Sequence, residues 1–161
     1  MNVKLALVIL ATINLKVGVC QQLGTAAVID KFVAEIDSIT TEGTNIAEYI
    51  HRLYADDGGK LWLNNHFVVD TAKRILYKCI YDRIDFEQVT FYYREKKIIK
   101  TIIIDSSFKG EYYFDSDSII LSREQGVWKQ PVLWNNKDFI DGGKEYLYFF
   151  KGICDMLDKK Q

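Results

Sequence analysis

Three aromatic triplets, each followed by a polar break and an apolar pair, constrain the fold of this chain more than any other feature. The triplets and their apolar pairs are Phe91-Tyr92-Tyr93 with Ile98-Ile99, Tyr112-Tyr113-Phe114 with Ile119-Ile120, and Tyr148-Phe149-Phe150 with Ile153-Cys154. Aromatic and β-branched residues favour strands, and short polar breaks between such runs favour turns. Each unit therefore predicts a β-hairpin. Because the units are unequally spaced, they predict a meander rather than a solenoid or a propeller.

The remaining elements are predicted from apolar periodicity. Apolar residues recur at helical spacing from Thr25 to Thr40, and Ile46 to Tyr54 fits a second helix that begins at an Asn45–Glu48 capping pair. Ile75–Tyr81 also fits a helix face, but its short length and its neighbours favour a strand. The predicted strands are Leu61–Val69, Ile75–Tyr81, Gln88–Tyr93, Ile98–Ile104, Glu111–Phe114, Ile119–Arg123 and Tyr146–Phe150. We therefore expect an α+β fold, with two N-terminal helices packed on a twisted antiparallel β-meander of about six or seven strands.

The strand at Ile98–Ile104 has two apolar faces. Strand alternation places Ile98, Ile102 and Ile104 on one face. It places Ile99 and Ile103 on the other face. Such a strand belongs in the centre of a sheet that is covered on both sides. The two predicted helices cover one face, which leaves the other for the curl of the sheet, the loop-rich segment Glu124–Gly143, a ligand or a second chain.

The first twenty residues read as a secretory signal sequence. Lys4 precedes an apolar run from Leu5 to Ile13, and small residues lead to Cys20. The run is too short to span a bilayer, so we expect no transmembrane span. The predicted organisation is a signal peptide over residues 1–20 and a single α+β domain over 21–161, secreted or periplasmic. Two alternatives remain: Cys20 is the lipid-anchored residue of a lipoprotein, or residues 3–13 form a buried element of the domain.

Charge and cysteine content limit the classes of partner. The 21 basic and 22 acidic residues give a formal net charge of −1, which argues against a nucleic-acid partner. After removal of residues 1–20, Cys79 and Cys154 are the remaining cysteines. They are candidates for a disulfide in an oxidising compartment and equally for buried free thiols.

The catalytic inventory is thin. The chain has two histidines, His51 and His66, and lacks nucleophile-elbow, zinc-binding, P-loop and dinucleotide motifs. His51 with Asp56 or Asp57 is the candidate acid–base pair. Asp115-Ser116-Asp117-Ser118 is typical of a hairpin turn and lacks the later ligands of a calcium loop. We expect no catalytic residues, no metal site and no cofactor.

Aromatic side chains are the candidate binding residues. Trp62, Trp128, Trp134 and Tyr112 are predicted to form a platform for a protein, peptide or glycan ligand. The first hypothesis is an exported, non-catalytic binding module of the cell envelope with an unidentified ligand. The alternatives are a protein-binding inhibitor or immunity-type protein, and a small pocket enzyme that uses a His–carboxylate pair.

The aromatic hairpins beyond Lys60 resemble poorly characterised exported proteins of Gram-negative bacteria. In those proteins a signal sequence and a helical segment precede aromatic strands that are joined by Asp, Asn or Gly turns. The resemblance covers roughly Lys60 to Lys159 and departs from the pattern at Asp115–Ser118, where an Asn-Gly or Asp-Gly turn is usual. It implies the same fold and export, and it implies no particular activity.

Overall fold

An eight-stranded antiparallel sheet forms the centre of the part of the chain that the structure describes. The computed structural model describes residues 21–39, 45–54, 61–83, 87–116, 118–129 and 136–158. In this part of the chain the strands lie side by side in chain order, between a helix α1 over residues 21–37 and a helix α2 at Asn136–Asp158. The strands are β1 Ile46–Tyr54, β2 Leu61–Asp70, β3 Ile75–Arg83, β4 Glu87–Arg94, β5 Lys97–Asp105, β6 Lys109–Asp115, β7 Ser118–Glu124 and β8 Val127–Lys129.

The predicted meander and six of its strands are confirmed. Strands β2 to β7 coincide with the first six predicted strands, and Ile75–Tyr81 belongs to a strand. Two of the three predicted aromatic hairpins form: Arg94 pairs with Lys97 between β4 and β5, and Asp115 pairs with Ser118 between β6 and β7. These segments combine β-favouring residues with short polar turns, so their local preference and their final structure agree.

The predicted second helix at Ile46–Tyr54 is wrong, because this segment is the strand β1. It pairs with β2 from Ile46↔Asp70 to Tyr54↔Leu61. The Asn45 carbonyl does not begin a helix; it accepts hydrogen bonds from the backbone N–H and the hydroxyl of Thr71. Pairing with β2 overrides the helical preference of a short segment whose apolar spacing fits both periods.

The predicted strand at Tyr146–Phe150 is also wrong, since this segment lies within α2. The third aromatic triplet is therefore helical, and its side chains divide between the sheet and solvent: Phe150 is buried and Tyr148 is 80% exposed. The residues of α2 on or against the core under this helix are spaced so that they share one helix face: Ile140, Tyr146, Leu147, Phe150 and Cys154. Part of the segment Glu124–Gly143, predicted as a loop, also has regular structure, as β8 and the start of α2.

The two helices cover opposite faces of the sheet. Helix α1 is confirmed, although the chain is helical from residue 21 and Thr25 lies inside the helix, where its hydroxyl donates to the Gln21 carbonyl. Its apolar side chains Ala26, Ile29, Val33 and Ile36 pack with Tyr92, Tyr113 and Leu121. On the other face α2 packs over Phe67, Val69, Leu76, Cys79, Phe91, Tyr93, Ile98, Phe114 and Ile119. The sheet face that the sequence left unassigned is therefore the face under α2.

A β-bulge in the β4–β5 ladder redistributes the isoleucines of β5. The register shifts between Tyr92 and Tyr93, because Tyr92 pairs with Lys100 whereas Tyr93 pairs with Ile98. Ile98 consequently packs in the core under α2, and Ile102 packs in the core under α1. The prediction that these two residues share a face is wrong, since simple alternation does not hold across a bulge.

None of the helices in the described part of the chain is both long and apolar enough to cross a membrane. The predicted signal sequence and the candidate lipid anchor Cys20 lie outside the described residues. Cys79 and Cys154 are not joined to each other in the structure: Cys79 is completely buried, and Cys154 is half-buried on α2. A disulfide between Cys79 and Cys154 in an oxidising compartment stays a prediction.

Candidate functional site

The predicted aromatic platform is only partly described, and its described members do not come together. Trp128 is 40% exposed on β8, with its ring centroid 5.5 Å from that of Tyr113 and 4.9 Å from the guanidinium of Arg123. Tyr112 packs against the core under α2, on the opposite face of the sheet from Tyr113. The backbone of Trp62 lies in β2, far from β8 in the strand order, and Trp134 lies outside the described residues.

The two histidines occupy separate positions. His66 on β2 contacts Glu48 on β1, with 3.0 Å between Nε2 and Oε2. The ring of His51 lies 5.1 Å from that of Phe149, and its Nδ1 has no hydrogen-bond partner within the described structure. The predicted partners of His51, Asp56 and Asp57, lie outside the described residues. Neither histidine belongs to the lining of the cavity described next.

A cavity of about 590 Å³ lies between one end of the sheet and the second half of α2. Its volume falls within the range of about 300–1,000 Å³ that is typical of small-molecule sites. The wall is apolar and comes from two sources, β3 and α2. Its apolar members are Ile75, Leu76, Leu147 and Phe150, and the half-buried thiol of Cys154 lies beside them.

Two tight turns form the sheet side of the cavity mouth. The β2–β3 turn contributes Arg74, and the β4–β5 turn contributes Glu95 and Lys96. Both turns lie at the same end of the sheet because β3 and β4 are antiparallel neighbours. In the first turn the Asp70 carboxylate accepts the backbone N–H of Lys73 at 2.8 Å, which holds the chain reversal in place.

The mouth of the cavity is charged. Lys151 and Asp155 of α2 face the turn residues Arg74, Glu95 and Lys96 across it. An apolar wall with a charged rim is suited to a molecule that has an apolar part and a polar head. The described lining contains neither a histidine nor a hydroxyl side chain.

A second group of polar side chains, the α1 ionic cluster, lies between α1 and the sheet and consists of Asp30, Lys100, Glu111, Tyr113 and Arg123. The Lys100 ammonium lies 2.5 Å from Asp30 Oδ1 and 2.7 Å from Glu111 Oε2. Arg123 donates to the same Glu111 oxygen at 2.5 Å, and the Tyr113 hydroxyl donates to Asp30 Oδ1 at 3.0 Å. Two cations and two carboxylates balance in charge, and the side chains of Lys100 and Glu111 are only 5% and 9% exposed.

The α1 ionic cluster perturbs its own acid–base groups. Burial opposes ionisation of Glu111, but hydrogen bonds from Arg123 and Lys100 and their charges outweigh it and lower the Glu111 pKa to about 2. Burial, followed by the charges of Asp30 and Glu111, raises the pKa of the Tyr113 hydroxyl. Each member is hydrogen-bonded or ion-paired within the cluster, and none of them lines the cavity. The cluster therefore fastens α1 to the sheet.

Sequence reasoning missed both the cavity and the α1 ionic cluster. The cavity depends on α2, whose helical repeat from Ile140 through Leu147 to Cys154 was available but was hidden by the aromatic triplet. The signal for the cluster was Lys100, the one charged residue between Ile98 and Ile104, which requires a partner when it is buried. That partner, Asp30, is 70 residues away in the chain.

Neither metal-ligand groups nor comparison with known proteins gives a further indication of function. The described residues contain no group of three or more His, Cys, Asp or Glu side chains that could hold a metal ion. Comparison of the chain with protein-family models, with curated proteins and with solved structures gave no match.

Proposed function

We propose that the protein is a non-catalytic binding module that holds a small amphipathic molecule in the cavity between α2 and the sheet. The observation that carries this proposal is the cavity of about 590 Å³, with an apolar wall and a charged mouth. A cleft of this size with an apolar wall and a few polar groups at its mouth is the usual form of a small-molecule site.

The wall supports the proposal because it is built into the fold. Phe150 and Leu76 are buried members of the core under α2, and Leu147 packs against that core. They are therefore held by the same contacts that join α2 to the sheet. A ligand that enters here meets a largely preformed apolar surface, which reduces the ordering cost of binding.

The test is binding of N-phenylnaphthylamine, an uncharged apolar probe, to the full chain and to two matched variants. Leu147→Trp places a larger side chain in the cavity wall, whereas Tyr148→Trp places the same side chain on the solvent side of α2. We expect Leu147→Trp to weaken probe binding by at least about tenfold and Tyr148→Trp to leave it unchanged. Thermal unfolding confirms that both variants fold.

Cys154 provides a second readout that needs no substitution. Because its thiol lines the cavity, bound probe slows its alkylation by iodoacetamide, measured on the Cys154 peptide by mass spectrometry. Equal probe affinity in both tryptophan variants, or alkylation that is insensitive to probe, would contradict the proposed site.

Export to the cell envelope is part of the same proposal and is supported by the basic start, the apolar run and the small residues before Gln21. Intact-mass measurement of the protein from its native host distinguishes the full chain, a chain that begins at Gln21 and a chain lipidated at Cys20. A full-length mass would contradict export by cleavage. The same measurement detects a disulfide as a loss of two hydrogens.

A protein-binding inhibitor is a second candidate, favoured by the short strand β8, on which Val127 and Trp128 are both exposed. Tryptophan is frequent among residues that dominate protein–protein affinity. This function requires a stoichiometric complex in the native host that Trp128→Ala disrupts and Tyr148→Ala, the truncation of an exposed aromatic side chain on α2, leaves intact.

A further inference from the structure

The mouth of the cavity carries more positive than negative charge, although the whole chain has a formal charge of −1. Three basic side chains, Arg74, Lys96 and Lys151, stand against the two carboxylates Glu95 and Asp155. Lys96 and Lys151 make no ion pair with any other described residue. In the α1 ionic cluster, by contrast, both cations are paired with carboxylates. Two lysine ammonium groups at the mouth can therefore meet a negatively charged ligand.

The turn that carries Lys96 has the backbone of a second turn in the same protein. In the β4–β5 turn Glu95 and Lys96 have φ of 52° and 61°, and in the β7–β8 turn Gln125 and Gly126 have φ of 49° and 79°. Positive φ costs glycine nothing, whereas it strains a residue with a Cβ by about 1–2 kcal/mol.

The two turns differ at their second position, where one has glycine and the other has a lysine that lines the cavity. Glycine there is the stable choice for this type of two-residue hairpin turn. Lys96 is thus the strained residue of the pair, and it is the one that can touch a ligand. The same backbone strain occurs at Arg74 and Glu95, which also line the cavity, and at Ser116 and Gln125, which do not.

We infer that the ligand is an amphipathic anion, an inference that rests on the proposed function of the cavity. Its anionic head, such as a carboxylate, binds the ammonium groups of Lys96 and Lys151. Its apolar tail lies against Leu76, Leu147 and Phe150. Charge-assisted hydrogen bonds hold the head, and burial of the tail supplies the remaining affinity.

The decisive variant is Lys96→Gly, because it moves binding and stability in opposite directions. The affinity for dodecanoate, measured by calorimetry, falls about tenfold through loss of one charge-assisted contact. The unfolding temperature rises by about 2–4 °C as the strain is relieved. Lys96→Arg retains the charge and the affinity. The reciprocal variant Gly126→Lys lowers the unfolding temperature and leaves dodecanoate binding unchanged.

Two further ligands define the chemistry and its source. Dodecyltrimethylammonium has the same tail with a cationic head, and it binds more weakly than dodecanoate. Phosphatidylglycerol vesicles present anionic head groups in a bilayer. Lys96-dependent binding of dodecanoate supports the inference and identifies a free amphiphile as the ligand, and Lys96-dependent binding of vesicles supports it and identifies a lipid surface.

The anion inference and the cavity proposal fail in different ways. Equal affinity for the anionic and cationic amphiphiles, or dodecanoate binding that Lys96→Gly does not weaken, would overturn the anion inference. The uncharged probe and the Leu147→Trp variant do not depend on the head group, so their result decides the cavity proposal alone.

Discussion

The two adjacent glycines of α2 are predicted to respond in opposite ways to the same substitution. Gly143 lies where α2 crosses β4 and β5. A Cβ on Gly143 would lie 2.9 Å from Ile98 Cγ1 and 3.2 Å from Phe91 Cδ1, and closer still to Ile98 Cδ1. A Cβ on Gly142 would have Phe91 Cζ at 3.8 Å as its nearest neighbour, which is an ordinary contact.

The expected changes in the free energy of unfolding follow from helix propensity and packing. Alanine is favoured over glycine inside a helix by about 0.8–1 kcal/mol, so we expect Gly142→Ala to stabilise the protein by nearly this amount. At Gly143 the same gain is opposed by overpacking, which costs about 1–3 kcal/mol, because Ile98 and Phe91 are buried and cannot move into solvent. Movement of α2 away from Ile98 and Phe91 also stretches the hydrogen bond that the buried Tyr93 hydroxyl donates to the Gly143 carbonyl at 3.0 Å. We therefore expect Gly143→Ala to destabilise the protein by about 1–2 kcal/mol.

Urea unfolding followed by circular dichroism measures both variants, with an expected difference of about 2–3 kcal/mol between them. Ile98→Val removes the methyl group nearest to the new Cβ, so the double variant with Gly143→Ala should recover part of the loss. If Gly143→Ala proves as stable as Gly142→Ala, α2 does not approach β5 closely, and the account of this interface is wrong.

Three further outcomes are expected from the α1 ionic cluster and the cysteines. The pKa of Glu111 is lowered from 4.5 to about 2, so the stability that this residue contributes is complete above about pH 4.5 and is lost as the pH falls towards 2. Over that pH range the free energy of unfolding of the wild type, measured by urea unfolding, should fall by about 3 kcal/mol more than that of Glu111→Gln. Lys100→Met removes the cation shared by two carboxylates and should cost about 3–5 kcal/mol, whereas wild-type stability would mean that the cluster is solvated. Iodoacetamide should label half-buried Cys154 well before Cys79, whose complete burial raises its thiol pKa; equal labelling in peptide mass spectrometry would contradict the core under α2.

Local sequence preference predicted the central strands correctly, but it gave the wrong structure for the edge strand β1 and for part of helix α2, which covers the sheet. Strands β2 to β7 alternate β-favouring residues with polar turns, and each was predicted within a few residues. Ile46–Tyr54 and Tyr146–Phe150 were assigned to the opposite element, because short runs that mix aromatic, aliphatic and charged residues fit both periods. Their structures are decided by what they pack against: β2 in the first case and the apolar sheet face in the second.

The candidate site was beyond sequence reasoning for a related reason. The cavity forms only because α2 lies over the end of β3, next to the β2–β3 and β4–β5 turns. Several strands separate these turns from α2 along the chain. The predicted Trp128 anchor is exposed, but its neighbour in the prediction, Tyr112, lies on the other face. Sequence patterns give the polarity of each segment, whereas a cavity depends on where segments separated in the chain fail to fill the space between them.

The sequential strand order has a consequence for the way the chain matures. In the sheet that the structure describes, every strand pairs with a chain neighbour, so each pairing closes a short loop and can form early during synthesis. Helix α2, however, emerges from the ribosome after the eight described strands. Until it docks, the side chains of Phe67, Phe91 and Phe114 remain on a bare sheet face that is prone to aggregation, and a nascent chain stalled before Asn136 should depend on a chaperone that binds aromatic surface.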